Sequence, residues 1–267
     1  MGCGASAPPA QVEPTAEEKA AALAAADAEA DGIKFKAIQA MLKDSAQWAA
    51  QTGGTAGAFK KGGFFDKNNN VNIKKHMVSK FPETIDTIET VLRAVPFGAF
   101  TSECDEFVAL LGEGAEASAK ACEPIFVASI DAMTSVPRDL FYEGKPEAAS
   151  MYLEAQCAKE ISEKCLPAVS KALESSKCCG AWEVIRLAFE KMPGVDPLEF
   201  DMNAWVCQQA CSGLWALVQA REAAIRVNPG DPSMKDPIIK DVFGNKALLQ
   251  ERDSFKFNDA YKAGKSK

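Results

Sequence analysis

Gly2, Cys3 and Ser6 carry the most specific chemistry in this chain of 267 residues. The run Met1-Gly2-Cys3-Gly4-Ala5-Ser6 leaves a glycine at the amino end once Met1 is removed. A small residue then stands beside it, and a serine occupies the site that N-myristoyltransferases prefer. Cys3 lies where a palmitate is commonly added next. One myristoyl chain holds a protein only marginally, with a partition constant of about 10⁴ M⁻¹, so lasting attachment needs a second signal. A polybasic stretch is not that signal. Within residues 1–31 the only base is Lys19, against Glu13, Glu17, Glu18, Asp27, Glu29 and Asp31. Palmitate on Cys3 is the natural alternative, at roughly 0.8 kcal/mol per buried methylene. The expectation is a peripheral membrane lipoprotein, intracellular, on the cytosolic face of a eukaryotic membrane such as the plasma membrane or a flagellar or ciliary membrane.

Other reactive side chains are present without a matching pattern. There are nine cysteines. With no charged n-region or apolar h-region ahead of the fold, a reducing compartment and free thiols are expected. Cys178 and Cys179 are adjacent, and Cys207 and Cys211 lie one helical turn apart. A C-x-x-x-C helix beside a vicinal pair is not a zinc-ribbon spacing, so buried structural cysteine is the expectation. His76 is the only histidine. Any Ser-His or Cys-His mechanism must use it, yet it follows two lysines and reads as exposed. A metal site joining it to cysteines has no support, and no metal or cofactor is expected.

Two segments imitate calcium loops. Asp27, Glu29, Asp31 and Gly32 fit positions one, three, five and six, but Ile38 stands where the bidentate glutamate belongs. Asp66, Asn68, Asn70 and Asn72 fit another such frame, with Val71 in place of the turn glycine and Met77 at the last position. Turn and capping chemistry explains both better. The glycines at 53, 54, 57, 62 and 63 lack the lysine-serine ending of a phosphate-binding loop. Between 60 and 80 stand Lys60, Lys61, Lys67, Lys74, Lys75 and Lys80 against the single acid Asp66. Near an anionic leaflet each lysine contributes roughly 1 kcal/mol, so this island is a candidate membrane-contact face; a solvated charged loop is the alternative.

These residues need elements to hold them, and the elements read as helices. The composition, 47% hydrophobic and 25% charged, is that of a globular chain. A net charge of −7 excludes a general nucleic-acid binder. No run approaches 18 apolar residues, so no transmembrane helix is expected. Residues 1–14 read as a disordered spacer. Thr15 and Glu18 form a capping box for an alanine-rich helix to about Ala30, followed by a second helix over Lys34 to Ala50. Further helices are expected over Glu83 to Val95, from Ser102, over Glu116 to Met133 with a break at Pro124, from Pro146 to Cys165, from Pro167 to Ser176, and over Ala181 to Lys191. Asp201 should cap the most hydrophobic one, Met202 to Val227, and Pro237 to Phe243 and Asn245 to Tyr261 should close the chain. On the Met202 helix, Val206, Ala210, Gly213, Leu217, Ala220 and Ala224 form a stripe suited to close helix packing or, alternatively, to an apolar ligand groove. Strand signals are nearly absent, and the fold class is all-α: a single bundle-like domain with a disordered leader and a frayed basic tail.

Several phrases in order resemble a known family. They are Gly63-Phe64-Phe65-Asp66 leading to Asn72-Ile73, Glu123-Pro124-Ile125-Phe126 running to Asp131-Ala132-Met133-Thr134, and Ala148-Ala149-Ser150-Met151-Tyr152-Leu153. Later come Ala210-Cys211-Ser212-Gly213-Leu214-Trp215, Glu222, Ile225-Arg226, Asn228-Pro229 and Asp241-Val242-Phe243-Gly244. Together they resemble the helical family catalogued as domain of unknown function forty-one ninety-seven. The resemblance covers about residues 32–244. It leaves 1–31 as an acylated leader with its helix and 245–267 as a C-terminal helix and basic tail. Members tend to have Asn-Arg-Ala-Ala-Glu where this chain has Gly112-Glu113-Gly114-Ala115-Glu116. The resemblance implies an all-α fold and no activity. Its matching phrases supply a possible polar site, Glu123, Asp131, Tyr152, Glu222 and Arg226, which helix caps and ion pairs explain as well.

Three functions follow as expectations. The leading one is a non-enzymatic membrane-tethered adaptor or binder of protein or lipid partners. The second is an apolar-ligand carrier grooved around the Met202 helix. The third is an enzyme using carboxylates or thiols, for which a deep pocket lined by such groups is the requirement.

Overall fold

A computed structural model of the chain describes residues 16–55, 83–137, 140, 145–234 and 236–245. The described residues hold seven α-helices and no strand: α1 (Ala16–Gly53), α2 (Glu83–Arg93), α3 (Thr101–Asp131), α4 (Ala148–Ser175), α5 (Cys178–Glu190), α6 (Met202–Val227) and α7 (Pro237–Phe243). The fold is all-α, as the periodicity predicts.

Four long helices form the bundle. α1 packs on α3 and α6, and α4 packs on the same two, so α1 and α4 face each other across the core. α5 lies against α3 with α2 beside it, and α7 lies against α1. The interior is filled by Ile38, Met41 and Leu42 of α1, Phe107 and Ile130 of α3, Ile161 and Leu173 of α4, and Leu217 of α6. Burying one such side chain stabilises the fold by about 1.5–3 kcal/mol. Phe126 of α3 meets Trp215 of α6 with ring centroids 4.8 Å apart, tilting the two planes by 53°. Such pairs add about 0.5–1.5 kcal/mol beyond area burial.

Several boundaries differ from those expected. The helices expected to end near Ala30 and to begin at Lys34 are one helix, because an α-carbon without a side chain at Gly32 costs only about 1 kcal/mol and does not break the ladder. The segments from Ser102 and from Glu116 are likewise the single helix α3, with Pro124 inside it. Pro167 sits inside α4 rather than starting a successor. Both prolines are exposed, as are Lys120 and Glu163 four residues before them. Water can therefore serve the two carbonyls that lose their amide donors, and the helices run on. The start of α6 is as expected. Asp201 caps α6 by accepting from the Ala204 amide at 2.9 Å. Asp236 does the same for α7 at the Ile238 amide, with Pro237 as first helical residue.

The calcium-like run Asp27 to Gly32 lies within α1, whose helical backbone cannot wrap an ion. Among the described residues no helix is long and apolar enough to cross a membrane. Gly2 and Cys3, the capping box at Thr15, the lysines Lys60, Lys61, Lys67, Lys74, Lys75 and Lys80, His76, and the tail from 246 onward lie outside the described residues.

Candidate functional site

The most concentrated polar chemistry lies where α6 passes the start of α4. The first amides of any helix lack intrahelical acceptors and carry a partial positive charge. In α4 the N-cap residue Glu147 supplies no side-chain bond. The acceptor comes instead from Glu222 of α6, whose side chain is fully buried. Its carboxylate accepts from the Ala149 amide at 3.0 Å, the Ser150 amide at 2.7 Å and the Ser150 hydroxyl at 2.5 Å. Ala148 and Ala149 are small and buried, which lets α6 approach this closely.

The charge is balanced one turn along α6. The Arg226 Nε donates to Glu222 at 2.9 Å, and a second guanidinium nitrogen donates to the Leu140 carbonyl at 3.2 Å. The guanidinium carbon lies 5.3 Å from the centre of the Phe243 ring of α7, a cation–π distance. A carboxylate offers about four lone-pair positions, and Glu222 has four hydrogen-bond donors on them. It is a clamp that positions α4, with no acceptor capacity left for a substrate proton.

Among the five polar positions of the family phrases, the structure thus joins Glu222 and Arg226. Asp131 lies at the exposed end of α3 and pairs with Lys43 of α1. Beside it, Gln39 donates to the Ile130 carbonyl at 2.9 Å, tying the same end of α3 to α1. Glu123 is half-buried on α3, and Tyr152 is half-buried against the core on α4. A second buried pair, which the sequence reading did not single out, joins α6 to α1: Arg221 donates to Asp44 at 2.9 Å and to the Ser233 hydroxyl at 3.0 Å, and its guanidinium stands 5.7 Å from the Trp48 ring centre.

The stripe on α6 is core at its first four positions. Val206, Ala210, Gly213 and Leu217 are buried, whereas Ala220 is half-buried and Ala224 exposed. Two shallow grooves lie elsewhere. One, of about 300 Å³, runs between α3 and α4 past Ile125, Ala128, Cys157 and Lys164; the other, of about 250 Å³, lies between α3 and α5 past Leu110 and Val184. No α6 residue lines either groove.

The third arrangement is a layer of thiols inside the bundle. Cys122 of α3, Cys165 of α4 and Cys211 of α6 are all buried, and their sulfurs lie within 4.8 Å of one another. Cys207, one turn before Cys211, is also buried; its thiol donates to the Ser162 carbonyl of α4 at 3.4 Å. The Cys165 thiol is held below the ordinary thiol value, because S–H donation from Cys122 and Cys211 stabilises its thiolate against the opposing effect of burial. Cys122 is pushed upward by donating to Cys165, then by Cys211 and by burial. Cys207 is pushed upward by Cys211 and by burial. All eight cysteines among the described residues are free thiols. The C-x-x-x-C pair on α6 carried half of this signal in sequence. Cys122 and Cys165 join it only once three helices are packed together.

These features define a class of protein: an all-α bundle on four long helices, with a buried carboxylate clamp and an interior thiol layer. The model of the family described as Protein of unknown function (DUF4197) matches residues 32–244, and the chain belongs to that family. Comparison with curated proteins and with solved structures gave no match.

Proposed function

We propose that this chain is a lipid-anchored, non-enzymatic helical adaptor, held to the cytosolic face of a membrane by acyl chains on Gly2 and Cys3. The observation that carries this reading is the form of α1. Among the described side chains, Ala21, Ala24, Ala25, Ala28 and Glu29 are exposed, and the first buried ones are Lys34, Ala37 and Ile38. An alanine-rich rod at 1.5 Å per residue, from Ala16 to Ile33, is about 27 Å long. Such a rod between an acylation motif and a packed bundle suits a spacer better than a core element. The saturated state of Glu222 and the filling of the α6 stripe favour a binder over an enzyme or a carrier built on α6.

The test is flotation of the full chain from eukaryotic cells. Wild type should float with membranes, Gly2→Ala should remain at the bottom of the gradient, and Cys3→Ser should be intermediate. Wild type that fails to float, or Gly2→Ala that floats equally well, overturns the reading.

A further inference from the structure

We infer that the thiol layer is a metal site: Cys122, Cys165 and Cys211, with Cys207 as fourth ligand, bind one thiophilic d10 ion of the zinc(II) class. The geometry comes first. Zinc–thiolate bonds are about 2.3 Å, so sulfurs sharing one ion stand about 3.8–4.0 Å apart. The three sulfurs already lie within 4.8 Å of one another. Closing on an ion needs less than about 1 Å of movement per pair, within the reach of side-chain rotation.

The donor set selects the ion. Among the described residues the cluster holds sulfur ligands only, from three helices. Hard cations such as calcium and magnesium require oxygen, whereas thiolates favour zinc and its soft neighbours. Cys207 lies four residues before Cys211 on α6 and so points to the same side of that helix. Its sulfur now donates to the Ser162 carbonyl and stands 4.0 Å from the Ser162 hydroxyl. Rotation away from that carbonyl supplies a fourth thiolate, completing the tetrahedral set that structural zinc prefers.

Core packing alone accounts for single buried cysteines, which behave as small hydrophobes. It does not account for the convergence of three of the six buried cysteines among the described residues to within 4.8 Å, with Cys207 one turn along α6 from one of them. Binding releases protons from the thiols and couples metal affinity to folding, because the ligands are brought together only in the packed bundle. The ion would staple α3, α4 and α6 at one point. It must enter during folding, since the sulfurs are sealed inside.

The experiment refolds the reduced full chain, without oxygen, in the presence of cobalt(II) as probe. One cobalt per chain and the intense visible bands of a tetrahedral thiolate site are expected, with complete bleaching by one equivalent of zinc(II). Cys122→Ser, Cys165→Ser and Cys211→Ser should abolish the bands, and Cys157→Ser and Cys179→Ser should leave them unchanged. Because a buried substitution can unfold the bundle, wild type also decides the question alone. X-ray absorption of its zinc form should show a sulfur-only first shell, and Cys207→Ser should replace one of those sulfurs with oxygen. Absence of tetrahedral bands in wild type, a first shell containing nitrogen, or bands that survive in a folded Cys165→Ser protein overturns the site.

Discussion

Glu222 and Ser150 stand 72 residues apart in the chain, yet one oxygen of the glutamate carboxylate accepts both the amide and the hydroxyl of the serine, at 2.7 and 2.5 Å. The relationship substitutes a distant side chain for a local N-cap. It fixes where α4 begins, how far α6 lies from it, and, through Arg226, where Leu140 and the ring of Phe243 settle. One buried charge thus sets the positions of three helices and a connecting segment.

Removing that charge should be costly. In Glu222→Ala, the guanidinium of Arg226 loses its buried partner and two amides of α4 lose their acceptor. Breaking a buried pair in this way costs about 3–5 kcal/mol. Urea denaturation followed by far-ultraviolet circular dichroism measures the loss. A cost below about 1 kcal/mol, the range of an exposed pair, would show that the carboxylate does not organise the start of α4.

Two glycines in long helices should respond oppositely to alanine. A Cβ at Gly114 would lie 2.6 Å from Leu173 Cδ2 and 2.9 Å from Ser176 Oγ. Leu173 is fully buried and has nowhere to swing. Overpacking of this kind costs about 1–3 kcal/mol, more than the roughly 1 kcal/mol that alanine gains over glycine in a helix. A Cβ at Gly32 meets nothing within 4 Å. Gly114→Ala should lower the melting temperature and Gly32→Ala should hold or raise it. The reverse order would mean that α3 and α4 are not this close.

Lys177 joins α4 to α5 with φ of 64°. This left-handed region is strained for a residue with a side chain and natural for glycine. Lys177→Gly should therefore stabilise the protein by about 1 kcal/mol, read as a higher denaturation midpoint with an unchanged slope. A lower midpoint would place the turn in another conformation.

The all-α fold was legible in sequence because apolar spacing at 3.6 residues survives any choice of partner. Helix ends were legible where one residue decides them, as Asp201 does at the start of α6. They were not legible at Pro124 and Pro167. A proline breaks a helix only if the freed carbonyl finds no donor, and exposure, which depends on packing, supplies water. Of the candidate polar site, Glu222 and Arg226 showed their shared helix face by the spacing of four. Ser150 at the other end of the clamp did not, and neither did the approach of Cys122, Cys165 and Cys211, whose spacings of 43 and 46 residues have no meaning until α3, α4 and α6 are packed.

Ser45 offers a test of the core itself. It is fully buried on α1 and its hydroxyl has no hydrogen-bond partner among the described residues. A buried hydroxyl without a partner carries a desolvation penalty of about 1–3 kcal/mol, and alanine is the better helix former. Ser45→Ala should raise the denaturation midpoint. A loss of stability instead would reveal a partner for this hydroxyl.

The last prediction concerns acid. Glu190, near the end of α5, accepts from the Leu198 amide at 2.9 Å and from Arg186 at 2.7 and 2.8 Å. The Leu198 amide above all holds its carboxyl below the usual carboxylate range; desolvation opposes it, and the Arg186 guanidinium adds to the lowering. The folded form therefore releases the proton more readily than the unfolded chain does. The bonds that fasten the 191–198 connection are at full strength above the ordinary glutamate value of about 4.3 and are lost as pH falls through the lower folded value. Carbon-detected titration of Glu190 should show a midpoint below the ordinary glutamate value of about 4.3. The Leu198 amide should lose hydrogen-exchange protection over the same acid interval. Glu190→Gln should remove that acid-dependent step. A Glu190 midpoint at or above the ordinary glutamate value would mean that the Leu198 amide is not held by this carboxylate in solution.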